Sequence, residues 1–269
     1  MMPIIRLIGL PTDSNSSFLR GPAQAPDVIR TQLYSDMGNA ATESGLEMGE
    51  DFLLEDAGDL PLTETEGDDA LIEGAVAAAL EAGCRPLCLG GDHSVTYPIL
   101  RAVAAARGPL DILHFDAHPD LYDELDGNRR SHASPFARIM EAGLARRLVQ
   151  VGIRTLNRHQ REQAARFGVE IVEMRHFEAQ AVPLLEGPFY VSMDLDGIDP
   201  AFAPGVSHHE PGGLSVRDAL NVLARQEAPV VGADIVELNP MRDLNGMTAV
   251  VAAKLAKELM GMMARPGKR

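Results

Sequence analysis

Leu110-Asp111-Ile112-Leu113-His114-Phe115-Asp116-Ala117-His118-Pro119-Asp120 is an apolar run that ends in three potential ligands. Leu110 to Phe115 reads as a strand covered on both faces, because parallel sheets buried between helix layers favour near-continuous apolar segments. In extended backbone, residues two apart point the same way, so Asp116, His118 and Asp120 can converge on one spot. Pro119 supports that geometry by pushing the residue before it toward extended backbone. A carboxylate, an imidazole and a second carboxylate at this spacing suit hard and borderline divalent metals. Tyr190-Val191-Ser192-Met193-Asp194-Leu195-Asp196 repeats the arrangement, an apolar run ending in alternating carboxylates.

Outward from these stretches, β-like and helix-like segments alternate. Strands are expected at Ile4 to Leu10, Pro86 to Leu89, Leu110 to Phe115, Leu148 to Ile153, Val169 to Val172, Phe189 to Met193 and Val230 to Ile235. Helices are expected at Ala25 to Leu33, Val95 to Arg107, Pro135 to Gly143, Asn157 to Phe167, Val216 to Arg225 and Met247 to Met262. This order predicts an α/β fold, one three-layer α/β/α domain over residues 1–269 with a mostly parallel central sheet; a barrel is the second choice. The acidic, weakly periodic segment Gly38 to Glu66 is expected to be irregular surface structure.

Every polar cluster falls just past a predicted strand. Gly90-Gly91-Asp92-His93-Ser94 follows Leu89, Asp116 to Asp120 follow Phe115, Asp194 and Asp196 follow Met193, and Glu237 follows Ile235. Open parallel sheets build their binding crevices at that end. Taken singly, His93 reads as a satisfied helix-start histidine, Gly90-Gly91 as a sharp turn and Asp194-x-Asp196 as a solvated loop pair. Taken together, two imidazoles and four carboxylates suffice for a two-metal site, whose ions stand about 3.5–4 Å apart and ready a water for attack near neutral pH. Carboxylate-rich ligation without thiolate favours manganese over structural zinc.

Composition narrows the field. A chain of 269 residues, 45% hydrophobic, buries a full core. A formal net charge of -15 disfavours nucleic acid and anionic membranes as partners. No apolar run is long enough to span a bilayer, and the N-terminal residues read as a first strand, so a cytoplasmic location is expected. Cys84 and Cys88 are too far apart along a strand for a disulfide and suit a reducing compartment. Lys254, Lys257 and Lys268 all lie near the C-terminus, away from the strand ends, which disfavours Schiff-base chemistry. Neither a Gly-x-Ser-x-Gly elbow nor a phosphate-cradling Gly-x-x-x-x-Gly-Lys loop is present.

Gly90-Gly91-Asp92-His93-Ser94, Asp116-Ala117-His118-Pro119-Asp120 and Ser192-Met193-Asp194-Leu195-Asp196-Gly197-Ile198-Asp199-Pro200 resemble, in order, the three signatures of the ureohydrolase family of arginases and agmatinases. The likeness covers nearly the whole chain. Asn15 to Pro22, Ser131 to Ser134 and Ala201 to Leu214 are most similar to the plant-type arginase branch. The resemblance implies two manganese ions per chain. His93, Asp116, Asp120 and Asp194 would serve one ion, and Asp116, His118, Asp194 and Asp196 the other.

It also implies that His132 passes a proton to the leaving amine and that Glu237 orients the substrate guanidinium. Asn128, His208 and His209 are expected along the substrate pocket. The implied reaction is hydrolysis of a guanidino compound to urea and an amine, with L-arginine the first choice and agmatine the second. The implied assembly is a homotrimer or hexamer. Where the amino-acid end of arginine would bind, the loop from Leu121 to His132 departs from the animal arginase pattern. There Arg129 or Arg130 suits a carboxylate, Asp123, Glu124 and Asp126 suit an amine, and simple surface exposure accounts for all five. The rivals are a degenerate family member acting as a binding or regulatory subunit, and a zinc deacetylase on a related fold.

Overall fold

The computed structural model describes residues 2–265; Lys268 lies outside the described residues. Eight strands form one parallel sheet: β1 (Ile4–Gly9), β2 (Leu53–Asp59), β3 (Arg85–Leu89), β4 (Leu110–Phe115), β5 (Ala145–Ile153), β6 (Glu170–Glu173), β7 (Phe189–Asp194) and β8 (Val230–Val236). Their spatial order is β2-β1-β3-β8-β7-β4-β5-β6. Seven helices cover it: α1 (Ala25–Leu33), α2 (Asp68–Glu81), α3 (Thr96–Arg107), α4 (Pro135–Glu141), α5 (Arg158–Phe167), α6 (Val216–Arg225) and α7 (Met247–Ala264).

The period-two alternation of the strands sorts the core into two layers. Leu87, Leu89, Leu113, Phe115, Val191 and Met193 point to one face, where they meet Ile29 of α1, Val222 of α6 and Leu259 of α7. Cys88, Ile112 and Tyr190 point to the other, against Ile72 of α2, Ile99 of α3, Phe136 of α4 and Ala164 of α5. Both faces are therefore dry, which is why the central strands tolerate so few polar residues. Cys84 and Cys88 are buried free thiols, and burial pushes the Cys88 thiol up.

Two elements depart from the expected pattern. Residues 38–66 contain β2, an edge strand paired to β1 from Ile4↔Leu53 to Gly9↔Asp59. Its sequence, Leu-Leu-Glu-Asp-Ala-Gly-Asp, is mostly exposed, and acidic side chains on an edge discourage pairing with another chain. Helix α2 is alanine-rich with only a weak apolar stripe, so it is recognisable from its packing on α3 rather than from periodicity. Among the described residues, no helix is long and apolar enough to cross a membrane.

Candidate metal centre

The four strands that precede the predicted ligands, β3, β8, β7 and β4, are adjacent in the sheet. Their carboxyl ends therefore deliver His93, Glu237, Asp194 with Asp196, and Asp116 to Asp120 to one crevice. After β3 the chain turns so tightly at Gly91 that an added Cβ would stand 1.6 Å from the carbonyl oxygen of Thr12. Asp120 and Glu237 both hold left-handed backbone, φ 48° and 65°. Strain of that kind costs of order 1 kcal/mol or more and persists where the surroundings fix a side chain.

Nδ1 of His93 stands 3.3 Å from Asp116 Oδ2, 3.1 Å from Asp120 Oδ2 and 3.0 Å from Asp194 Oδ2. Nδ1 of His118 stands 3.3 Å from Asp116 Oδ1 and 3.1 Å from Asp196 Oδ2. The predicted ligands thus form two imidazole-centred groups that share Asp116. Asp194 reaches the second group less directly, since its Oδ1 accepts the N–H of Asp196 at 2.8 Å.

A buried row across the sheet fixes how these ligands face. The cross-strand register aligns Asp234, Ser192, His114 and Gln150 on β8, β7, β4 and β5. Asp234 Oδ2 accepts from Tyr190 (2.8 Å) and Thr96 (3.0 Å), and its Oδ1 accepts the Ser192 hydroxyl at 2.7 Å. Ser192 has one proton, already given to Asp234, so it accepts from His93 Nε2 at 2.9 Å. His93 then carries its hydrogen on Nε2 and presents the Nδ1 lone pair to the carboxylates. That nitrogen is buried and has no hydrogen-bond partner, the condition of a ligand atom.

His114 makes the opposite choice. Its Nδ1 accepts from the Gln150 amide at 3.0 Å, so Nε2–H donates to Asp116 Oδ2 at 2.9 Å. Burial holds the ring down to about 4, hence neutral. It orients the shared carboxylate instead of joining the ligands, and Phe136 of α4 stacks on it at 3.9 Å. None of this row was among the expected site residues. The signal was there: Asp234, Ser192, His114 and Gln150 each have apolar residues on both sides along their strands.

The electrostatics fit a cation. Burial and then repulsion from neighbouring carboxylates push Asp194 well above the usual range and Asp120 to about 6. Burial also opposes charge on His93, yet the surrounding carboxylates outweigh it and hold the ring well above the ordinary histidine range. A divalent ion bound here would take the place of the His93 Nδ1 proton among the same carboxylates.

Glu237 and His132 form the opposite wall. Glu237 Oε1 accepts from His93 N–H at 3.0 Å and pairs with His132 Nδ1 at 2.8 Å. His132 Nε2 meets Ser17 Oγ at 2.8 Å, and its backbone N–H bonds the Asn15 carbonyl. Burial opposes a charge on His132, but Glu237 beside it raises the imidazole to about 9.

A cavity of about 200 Å³ opens above these groups, with His208 in its lining. The His208 ring centroid lies 5.3 Å from that of His132 and 5.8 Å from that of His118. Two expected pocket residues lie elsewhere. His209 turns outward, bonding the Pro204 carbonyl and Arg242. Asn128 donates to Asn15 Oδ1 and accepts from Arg130 N–H, so it ties two loops together outside the cavity.

A sequence model of the arginase family matches residues 4–261. Arginase 1, mitochondrial, of Arabidopsis thaliana is 52% identical, covering 96% of this chain and 81% of its own length. The mitochondrial guanidino acid hydrolase of Homo sapiens is 36% identical over 94% of this chain and 76% of its own. The solved arginase from Medicago truncatula superposes with a TM-score of 0.93 at 45% identity, covering 97% of this chain and 87% of that one. The mitochondrial naming of such close relatives overturns the expectation of a cytoplasmic location. Reduced cysteines and an acidic surface do not distinguish the cytosol from another reducing compartment. With this match spanning all eight strands and every candidate ligand described above, the chain belongs to the arginase family of metal-dependent hydrolases.

Proposed function

We propose that the protein is a single-domain, binuclear manganese arginase that hydrolyses L-arginine to ornithine and urea. The observation that carries this reading is Asp116, whose two oxygens each face a different imidazole-centred group. His93, Asp116, Asp120 and Asp194 would hold one ion; His118, Asp116 and Asp196, with Asp194, would hold the other. The bound pair would supply Lewis acidity and a water acidified enough to act as nucleophile near neutral pH.

The chain's own groups supply the rest. Glu237 sits deep in the cavity with Oε1 engaged, and its other oxygen makes no hydrogen bond among the described residues. A guanidinium laid against it gains a charge-assisted, directional contact that aims the carbon at the metal groups. Addition of water to that carbon and loss of the amine gives urea, and the departing nitrogen needs a proton. His132 carries one at neutral pH, held between Glu237 and Ser17 and able to pass from Nε2 to the leaving amine.

Arginine is favoured because identity to a plant arginase exceeds identity to the guanidino acid hydrolase. Agmatine is the second reading, since no lysine or arginine among the described residues lines the cavity to meet an α-carboxylate. Assembly into trimers or hexamers rests on the family resemblance alone. Urea release from purified protein, with and without added manganese, tests the proposal across arginine, agmatine and shorter guanidino acids. Manganese-dependent urea release, fastest from arginine, is expected; none from any of them sinks the ureohydrolase reading.

A further inference from the structure

Five charged residues on the loop after Asp120 were candidates to meet the amino-acid end of the substrate, and none lines the cavity. Asp123 accepts from Arg129 at 2.8 Å and from Arg138 at 3.0 Å. Arg129 also pairs with Glu141, and Arg130 pairs with Asp69 while lying over the Tyr97 ring. Asp126 sits at a left-handed position of an exposed turn, and Glu124 also lies outside the lining. Between Asp120 and His132, this loop gives the cavity only Tyr122 and Leu125.

Besides Glu237, the carboxylate that lines it from outside the metal groups is Glu210, on the segment between β7 and α6. Asp120, Asp194 and Asp196 turn toward His93 and His118, and Glu237 is engaged with His132. Glu210 Oε1 stands 3.8 Å from His118 Nε2, beyond hydrogen-bond length. Its side chain is 38% exposed against 4% for Glu237, so the two carboxylates mark the mouth and the floor of one cavity. Glu210 is also held in place. Arg154 donates from Nε to the Glu210 carbonyl at 2.8 Å, from Nη2 to the Asp196 carbonyl at 2.7 Å and from Nη1 to the Gly197 carbonyl at 3.2 Å. One guanidinium thereby ties Glu210 to the turn that carries a metal-site aspartate.

We infer that Glu210 receives the ammonium at the far end of the substrate and selects guanidino amines over guanidino acids. The inference rests on the arginase reading and deepens it. With the guanidinium on Glu237, the tail of an extended substrate runs toward solvent, where Glu210 stands at the mouth among the described lining residues. A negative carboxylate there attracts an ammonium and repels a lone carboxylate, and no lysine or arginine among the described residues lines the cavity to reverse that preference. Removing the amine from arginine should therefore cost more than removing its carboxylate.

The test compares arginine, agmatine and δ-guanidinovalerate, which is arginine without its α-amine, on manganese-loaded wild type, Glu210→Gln and Glu210→Asp. Urea release gives kcat and KM, inhibition constants replace them where turnover is absent, and metal content is measured on each sample. Wild type should prefer both amines to δ-guanidinovalerate. Glu210→Gln should lower kcat/KM for both amines about ten- to hundredfold, mainly through KM, with metal content within about twofold of wild type and the δ-guanidinovalerate values equal to or better than wild type. Glu210→Asp should recover part of the preference. An equal fall on all three compounds, or an unchanged ratio, overturns the assignment and leaves the arginase reading standing. Wild-type protein that releases no urea from any of the three overturns both.

Discussion

Asp116 Oδ2 lies 3.3 Å from Nδ1 of His93, and Asp116 Oδ1 lies the same distance from Nδ1 of His118. One carboxylate so placed makes the two ligand groups interdependent. Burial opposes charge on Asp116, but His114 and the imidazoles on either side outweigh it and hold the carboxyl well below the usual carboxylate range, so it is ionised. Asp116→Ala should lose both manganese equivalents, whereas His118→Ala should lose one and retain the ion at His93. Elemental analysis after gel filtration, with far-ultraviolet circular dichroism confirming the fold, checks the difference. Equal stoichiometry in the two variants would show that Asp116 is no bridge.

The Ser192 hydroxyl decides which nitrogen of His93 is free. In Ser192→Ala, Nε2–H loses its acceptor and Asp234 loses a donor, both in a fully buried row. Loss of such an outer partner typically weakens metal binding about 10–100-fold, and buried unpaired groups cost about 1–3 kcal/mol of stability. Manganese titration of the metal-free protein and nitrogen NMR of the His93 ring measure the two effects. Wild-type manganese affinity would disprove the tautomer argument.

His132 should titrate near 9 in the metal-free protein, since Glu237 overcomes the effect of burial. A histidine whose folded value is raised stabilises the fold fully below the unfolded value of about 6.5, and that contribution disappears as pH rises through the folded value. The metal-free protein should therefore lose stability between about pH 6.5 and pH 9 as this pair uncouples. Glu237→Gln should bring the His132 titration down and flatten the stability curve in that window. Histidine NMR and denaturant midpoints across the range measure both, and an unmoved His132 titration would separate the two residues.

The parts of this architecture that the sequence makes readable are those written locally. Strand β4 and helix α6 fall where apolar runs and caps place them, and Ser215 with Asp218 closes a capping box at the start of α6. The candidate ligands are legible for the same reason: Asp116, His118 and Asp120 are spaced two apart in one segment. Gln150, Ser192 and Asp234 are not, because each stands between apolar neighbours along its own strand and its meaning lies in the strand beside it. Register is set by the whole sheet, so neighbours such as Ser192↔Asp234 appear only after folding. Glu210 was hidden likewise, in a loop whose position depends on Arg154 from another strand end. Edge strand β2 escaped notice because solvent exposure had erased its apolar alternation.

Gly197 offers the most direct test of how the backbone supports the centre. The turn after β7 passes so close to β4 that a Cβ on Gly197 would stand 2.7 Å from the Asp116 nitrogen and 2.9 Å from its Cα. Asp116 cannot yield freely, because its N–H is bonded to the Val151 carbonyl at 3.0 Å. Gly197→Ala must therefore displace either the shared carboxylate or the turn that presents Asp196. Overpacking of this kind costs about 1–3 kcal/mol, and it should also reduce manganese binding at both groups. Gly74 is the control: it lies in α2 with nothing within 4 Å of an added Cβ, so Gly74→Ala should raise the melting temperature slightly and leave metal content alone. Thermal melts and metal stoichiometry on the two variants decide the matter. If Gly197→Ala matches wild type in both, the close approach to Asp116 has no bearing on the centre.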